Sequence, residues 1–129
     1  MTTSYFDTSA AMKLLVAEAE SDALIAELAR PDRTLVASWL LHTELHCAAG
    51  RNPQDIDLDA VTEVLDLTAL IDITRGDLLA AGTHAPLRSN DAIHLATALR
   101  IGADEVITYD NELALAARRA GLGILAPSA

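Results

Sequence analysis

The sequence predicts an α/β fold of three layers, with helices flanking a mainly parallel central sheet of about five strands. Short apolar runs alternate with segments of helical periodicity along the whole chain, a pattern typical of parallel sheets with right-handed crossovers. The chain has 129 residues, 51% of them hydrophobic, which is enough to bury a core without disulfides. No linker or internal repeat interrupts it. We therefore expect a single domain over residues 1–129.

The first predicted elements are a strand and two helices. Apolar and β-favouring side chains mark the strand Ser4–Phe6. It stops at Asp7–Ser9, three residues that can each cap the following helix, Ala10–Val16. A second helix starts after Ser21. It ends before Pro31, because the residue preceding a proline avoids the helical region.

The middle of the chain predicts two more strands and two longer helices. A short strand is expected over Thr34–Ala37, followed by a helix from Ser38 to Gly50 that stops before the turn at Asn52 and Pro53. Apolar residues at helical spacing mark a further helix over 58–65. The next strand is expected over Leu70–Ile73.

The last third repeats the alternation of helix and strand. In chain order we expect a short helix near Asp77–Gly82, a loop over His84–Ser89, a helix over Asn90–Arg100, a strand over Val106–Tyr109, a helix over Glu112–Ala120 and a strand over Leu122–Leu125.

Acidic residues follow two of these strands. Asp7 ends the first strand, and Asp110 ends the strand Val106–Tyr109. In open α/β sheets, ligands bind outside the carboxyl ends of the strands. Each aspartate also precedes a helix, where Asp is common as a cap whatever the function. Taken singly, each acid is therefore explained as a cap.

Two further acids stand on helices. On a helical wheel, Glu44 points with an apolar stripe, where an ionised carboxylate is costly unless it meets a cation, a metal or several donors. The alternative is that Glu44 lies at the rim of the stripe and pairs with an arginine. Asp91 opens its helix, where the helix dipole alone would stabilise it. The stripe consists of Ala37, Leu40, Leu41, Cys47 and Ala48.

Together these four acids can converge on one crevice. Two carboxylates about 4 Å apart repel by roughly 4 kcal/mol at an effective dielectric of about 20, so four would need a cation to stay ionised. Oxygen ligands in an open site suit Mg²⁺ or Mn²⁺. Such ions activate water and stabilise charge on a phosphoryl group. The pattern thus favours a metal-dependent nuclease or phosphatase.

Several other residues invite functional interpretations that the pattern does not support. His42 and His46 share a helix face, but Glu44 is placed about 160° away from both, unlike the zinc peptidase arrangement HExxH. His94, one turn after Asp91, could orient a phosphate or act as a base, although packing is the commoner role. Cys47 is expected to be a small buried hydrophobe. Three basic residues could bind phosphate or pair locally with acids: Lys13, Arg75 and Arg88.

The net charge of −10 argues against unaided binding to nucleic acid or anionic membranes, because long-range steering has the wrong sign. The chain has no apolar run long enough for a membrane span and no signal-peptide pattern at its start. The lone cysteine suits a reducing compartment. We therefore expect a cytoplasmic protein without a membrane partner.

Read in order, four segments resemble a PIN-domain ribonuclease, and most of all the VapC-type toxins of toxin–antitoxin pairs. A lone Asp-Thr-Ser would be a weak motif, whereas the run Asp-Ala-Ile-His-Leu-Ala together with the other acids is specific. The segments are Tyr5–Ala10, Glu44 in its helix, Leu87–Ala98 and Ile107–Asp110.

The resemblance implies that the first and fourth of five parallel strands are neighbours, which brings Asp7 beside Asp110. By the same resemblance, Asp7 and Asp91 correspond to the family's most dependable metal ligands. Asp110 and Glu44 are implied either to coordinate the metal directly or to hold metal-bound water. Ser9 is implied to give a supporting hydrogen bond. Asn90 departs from the aliphatic residue that often precedes the Asp-Ala motif, which affects local geometry only.

The function implied is an Mg²⁺- or Mn²⁺-dependent endoribonuclease, a hydrolase of phosphodiester bonds in RNA that forms no covalent intermediate with the protein. The resemblance also implies a homodimer, inhibition by a small VapB-type antitoxin with a basic segment, and arrest of translation and growth. Two alternatives stay open: a PIN-type nuclease of RNA maturation or decay without an antitoxin, and a catalytically silent acidic module that binds a basic partner.

Overall fold

A computed structural model describes residues 1–128, which contain five strands and seven helices. The strands are β1 (Thr2–Phe6), β2 (Arg33–Ser38), β3 (Ala69–Ile71), β4 (Glu105–Ile107) and β5 (Gly123–Leu125). The helices are α1 (Thr8–Leu15), α2 (Ser21–Leu28), α3 (Leu40–Arg51), α4 (Leu58–Asp66), α5 (Arg75–Ala81), α6 (Ser89–Arg100) and α7 (Asn111–Arg119).

All five strands form one parallel sheet in the order β3-β2-β1-β4-β5. Tyr5 of β1 is in register with Val36 of β2 on one side and with Val106 of β4 on the other. The chain therefore winds outward from β1 in both directions. The switch in strand order lies between β1 and β4, where parallel α/β sheets open a crevice for ligands.

The two faces of the sheet bury separate apolar layers, which makes the fold three-layered as the sequence predicts. Phe6 lies in the layer that includes Leu41 and Leu45 of α3. Its neighbour Tyr5 lies in the opposite layer with Leu95 of α6 and Leu113 of α7. This follows from the alternation of side chains along a strand.

The predicted elements are present, with shifts at their ends. The strand predicted over Val106–Tyr109 ends at Ile107, so Asp110 lies three residues beyond the strand rather than directly at its end. The strand predicted over Leu70–Ile73 is Ala69–Ile71. Each of these strands ends level with the last residue of its neighbour, because a strand continues only while adjacent backbone groups can pair.

The apolar stripe predicted for α3 is rotated in the structure. Its buried residues are Leu41, Leu45, Ala48 and Ala49, whereas Leu40 is partly exposed. The prediction that Cys47 is buried is wrong, because its side chain is exposed. Glu44 consequently flanks the core at the rim of the stripe, with 21% of its side chain exposed.

The longest helices, α3 and α6, have 12 residues each. Within residues 1–128, none of the helices has the length and apolar character required to cross a membrane.

Candidate active site

Asp7 lies at the carboxyl end of β1 with only 2% of its surface exposed. It is the N-cap of α1, where its Oδ1 accepts from the backbone amide of Ala10 at 3.0 Å. The hydroxyls of Ser9 and Thr108 also donate to this carboxylate, at 2.7 and 2.6 Å. Burial raises the pKa of Asp7, and these donors oppose the rise without cancelling it.

Asp110 lies beside the same strand end and is the N-cap of α7, because Oδ1 accepts from the amide of Leu113 at 2.9 Å. Its own backbone amide donates to the hydroxyl of Thr108 at 3.0 Å. Thr108 therefore links the loop that carries Asp110 to the carboxylate of Asp7. The sequence pattern did not single out this threonine. Its signal was a small hydroxyl residue at the end of a strand that leads to an acid.

Asp91 is the third residue of α6 and is partly buried. Its pKa is raised to about 6, mainly by burial and then by the negative charges of Asp110, Asp7 and Glu44, against the opposing effect of His94. The groups that shift this pKa are charges rather than hydrogen-bond donors. The four acids that the sequence predicts to converge thus lie close enough for their charges to affect one another, because four chain segments meet at one edge of the sheet.

Glu44 is oriented by donors from two other helices. Its Oε1 accepts from Thr8 at 2.7 Å and contacts His94 Nε2 at 2.6 Å, and its Oε2 accepts from Asn90 at 3.4 Å. Burial raises the pKa of Glu44, but His94 and the hydrogen bonds outweigh it and hold the pKa below its usual value. The expected alternative of an arginine partner is wrong, because the residue that contacts Glu44 is a histidine.

His94 is 2% exposed and lies between Glu44 and Tyr5, whose hydroxyl is 2.7 Å from Nδ1. The two rings meet edge to face, with centroids 5.6 Å apart. The sequence did not decide whether His94 packs in the core or takes part in the site. In the structure the buried imidazole contacts Glu44 through Nε2 and the core residue Tyr5 through Nδ1.

The basic residues separate into distinct environments. Lys13 pairs with Glu18 and Glu20, so local ion pairs account for it. Arg75 is exposed at the start of α5. Arg88 is exposed and lines a depression of about 250 Å³ that we call the acidic cleft, whose other lining residues are Asp91, Asp110, Asn111 and Glu112.

His42 and His46 stack on the outer side of α3, with ring centroids 4.0 Å apart. Trp39, which is half-exposed, extends this stack at 5.5 Å from His42. Throughout residues 1–128, no group of three or more His, Cys, Asp or Glu side chains is arranged so that it could hold a metal ion. The histidine pair therefore has no third protein ligand among the described residues.

The acids nonetheless have the chemistry of an open site for a hard cation. Mg²⁺ keeps several waters and binds through one or two carboxylates, so it does not require a cage made of protein alone. Asp91 supplies a carboxylate whose neighbouring charges a cation would neutralise. The oxygen-only donor set and the raised pKa of Asp91 therefore fit a divalent ion.

Comparison with known sequences identifies relatives along the whole chain. Residues 4–119 match the PIN domain. Ribonuclease VapC46 of Mycobacterium tuberculosis is 39% identical over 129 residues, covering 96% of this chain and 97% of that protein. Ribonuclease VapC35 of the same species is 35% identical, covering 95% of this chain and 96% of that protein.

Solved structures share the fold at lower sequence identity. Mycobacterium tuberculosis VapC20, a toxin that cleaves the sarcin–ricin loop, has a TM-score of 0.72 at 15% identity, with coverage of 96% and 99% of the two chains. A toxin–antitoxin complex from Klebsiella pneumoniae gives 0.68 at 23% identity, with coverage of 96% and 97%. At these identities the likeness establishes the fold.

Proposed function

This chain belongs to the PIN domain family, and from that premise we propose that it is an endoribonuclease acting as the toxin of a toxin–antitoxin pair. Relatives named as VapC ribonucleases span nearly its full length at 33–39% identity. The observation that carries the proposal is the convergence of four acids from separate chain segments at one edge of the sheet, close enough for their charges to raise the pKa of Asp91. Perturbed carboxylates in a cleft are typical of catalytic sites.

The cofactor we propose is Mg²⁺, with Mn²⁺ as a substitute. Asp7 and Asp91 would hold the ion, and Asp110 and Glu44 would complete the negative environment directly or through water. When bound, such an ion makes water more acidic and stabilises negative charge on a phosphoryl group. The ion would also reverse the field at the point where a phosphate must approach a protein of net charge −10.

The side chains have separate tasks in this proposal. Ser9 and Thr108 hold the carboxylate of Asp7 through their hydroxyls. Arg88, exposed at the acidic cleft, is placed to bind a phosphate oxygen of the RNA. Glu44 is held by Thr8 and His94 at a fixed orientation. Water attacks the phosphodiester, and no side chain is covalently attached to the RNA.

The partners we propose are a small VapB-type antitoxin with a basic segment and a second copy of this chain. Toxin–antitoxin complexes among the structural neighbours support the first. The excess of ten negative charges suits a basic segment that covers the acidic cleft. Analytical ultracentrifugation of the chain alone tests the homodimer, which a single monomer species at micromolar concentration would contradict. We also propose that the protein acts in the cytoplasm, where it would meet an RNA substrate.

RNA cleavage tests the enzymatic proposal. Wild type, Asp7→Asn and Asp91→Asn are compared on the same RNA with Mg²⁺, with Mn²⁺ and with a chelator. We expect cleavage by the wild type with either ion, no cleavage with chelator, and a loss of at least about 100-fold in each variant, because each substitution removes a negative charge from the ion's site. Equal cleavage by all three proteins would identify a contaminating nuclease and overturn the proposal.

Expression in a growing culture tests the toxin. We expect the wild type to arrest growth, and Asp91→Asn to relieve the arrest at equal protein level. Harmless expression of a wild type that cleaves RNA in vitro would favour the alternative, a nuclease of RNA maturation or decay without an antitoxin.

A further inference from the structure

A continuous line of hydrogen bonds runs from the sheet to the rim of the site. The backbone amide of Ser38 in β2 donates to the hydroxyl oxygen of Tyr5 in β1 at 3.3 Å. That hydroxyl is 2.7 Å from His94 Nδ1, and His94 Nε2 is 2.6 Å from Glu44 Oε1. Ser38, Tyr5 and His94 are 0–2% exposed. The line therefore starts in the buried centre of the sheet.

The hydrogen-bond donors and acceptors along this line indicate which atom carries each proton. A tyrosine hydroxyl carries its proton at neutral pH, and the Tyr5 side chain is fully buried. The oxygen already accepts from Ser38, and the neighbour available for its proton is His94 Nδ1. Nδ1 must then be the unprotonated nitrogen, and Nε2, which lies 2.6 Å from Glu44 Oε1, is the nitrogen that carries the imidazole proton. A proton on Nδ1 would deprive the buried Tyr5 hydroxyl of its acceptor.

This arrangement determines how Glu44 is presented. Nε2–H of His94 donates to Oε1, which also accepts from Thr8. Oε2 has only the long contact with Asn90, at 3.4 Å, and Asn90 is exposed. One carboxylate oxygen thus accepts from the buried His94 and the partly buried Thr8, and the other has one long contact with an exposed side chain.

We propose that Tyr5 and His94 are positioning residues, which fix the orientation of Glu44 by holding His94 in the Nε2–H tautomer so that Oε2 is the oxygen available to the site. The catalytic consequence rests on the proposed ribonuclease function, whereas the tautomer and its control by Tyr5 do not. Partners that orient metal-site residues in this way are worth about 10–100-fold in metal affinity or activity.

Tyr5→Phe is the decisive variant, because it removes one buried hydroxyl and keeps the ring. Tyr109→Phe is the matched control, since it deletes a hydroxyl that donates to the carbonyl of Pro127 at 2.7 Å, outside this line. Circular dichroism verifies the fold of both variants. Imidazole ¹⁵N shifts report the tautomer, calorimetry reports Mn²⁺ affinity, and RNA cleavage reports kcat and KM.

We expect the wild type and Tyr109→Phe to show a protonated Nε2 and an unprotonated Nδ1 at His94. In Tyr5→Phe the two nitrogen signals should move toward each other, the Mn²⁺ Kd should rise by about 10-fold, and kcat should fall with KM for RNA unchanged. Wild-type His94 protonated at Nδ1, or Tyr5→Phe with wild-type shifts and Mn²⁺ affinity, would overturn the proposal.

The variant Glu44→Gln tests whether Tyr5 or Glu44 determines the tautomer of His94. Because Tyr5 sets the tautomer, His94 should keep its Nε2–H signal in Glu44→Gln, although the partner of that proton has lost its charge. A tautomer that changes in Glu44→Gln and not in Tyr5→Phe would show that Glu44 controls His94. If the wild type cleaves no RNA while the shifts and Mn²⁺ affinities respond as expected, the ribonuclease proposal fails and the positioning role stands.

Discussion

Thr108 is the residue on which the environment of Asp7 depends most directly. Its hydroxyl donates to the Asp7 carboxylate at 2.6 Å and accepts from the amide of Asp110 at 3.0 Å, with 1% of the residue exposed. A buried carboxylate remains ionised only if donors replace the water it has lost. One hydroxyl therefore supports two acids of the site.

Thr108→Val keeps the shape of the side chain and removes this hydroxyl. We expect it to lower the free energy of unfolding by about 1–3 kcal/mol, because it leaves a buried carboxylate and an amide short of a partner. It should also weaken RNA cleavage. Urea denaturation and the cleavage assay measure the two effects.

Thr97→Val is the matched control, since Thr97 is equally buried but donates only to the carbonyl of Ile93 in its own helix. We expect its cleavage rate to remain that of the wild type. Equal losses of cleavage in Thr97→Val and Thr108→Val would mean that general destabilisation, rather than support of Asp7, reduces activity.

Asp91 makes the stability of the metal-free protein depend on pH. Its pKa of about 6 lies above the ordinary value of 3.8, so the folded state binds the proton more tightly than the unfolded chain. The stabilisation of the folded state by this tighter proton binding is fully present below about pH 4 and is lost as the pH rises through about 6. Ionised Asp91 is then a source of repulsion, which a divalent cation relieves.

Asp91→Asn should therefore stabilise the protein in chelator at pH 7.5, by about 1 kcal/mol relative to wild type, since solvent screens a partly exposed group. At pH 4.5 the difference should be smaller. Mg²⁺ should raise the Tm of the wild type and leave that of the variant nearly unchanged. Exposed Asp55 supplies the control, Asp55→Asn. A stabilisation that is the same at both pH values would contradict the assignment.

Helices α5 and α6 are joined by a buried carboxylate. Asp77 is 2% exposed and completes a capping box at the start of α5 with Thr74, whose amide donates to Oδ2 at 3.0 Å. Arg100, in the last turn of α6, donates from Nε to Oδ1 at 2.7 Å. Burial raises the pKa of Asp77, but these donors outweigh it and lower the pKa below its usual value.

Because its pKa is lowered on folding, Asp77 stabilises the fold above the ordinary value of 3.8, and this contribution is lost as the pH falls through the folded-state pKa. Asp77→Asn should cost about 1–3 kcal/mol at pH 7 and much less near pH 2.5. Chemical denaturation at the two pH values measures both costs. A cost independent of pH would show that the carboxylate charge contributes nothing to this connection.

The charge of the whole molecule, −10, governs its encounters. Attraction to a basic antitoxin segment should be long-range and screened by salt. We expect the association rate to fall steeply as NaCl rises from about 50 to 500 mM, with the dissociation rate changing little. Stopped-flow mixing with the purified antitoxin measures both rates. A salt-independent association rate would leave the excess charge without a role in recognition.

The sequence by itself determined the order and type of the elements, the parallel sheet and the acids that meet at its edge. Hydrophobic periodicity and capping residues are local signals, and each is read within a few residues. The wheel placed Glu44 near the apolar side of α3, and strand ends placed Asp7 and Asp110 at one edge. The exact strand ends did not follow from the sequence, because pairing with neighbouring strands decides that β4 ends at Ile107.

Only the tertiary structure decided which donors meet which acids. Thr108 reaches Asp7 across 101 positions of sequence, His94 reaches Glu44 across 50, and Tyr5 reaches His94 across 89. These contacts depend on the sheet order and the rotation of each helix about its axis, which no local pattern specifies. The exposure of Cys47 has the same cause. Local sequence therefore determined the residue type of each acid in the candidate site, and packing determined its hydrogen-bond partners and orientation.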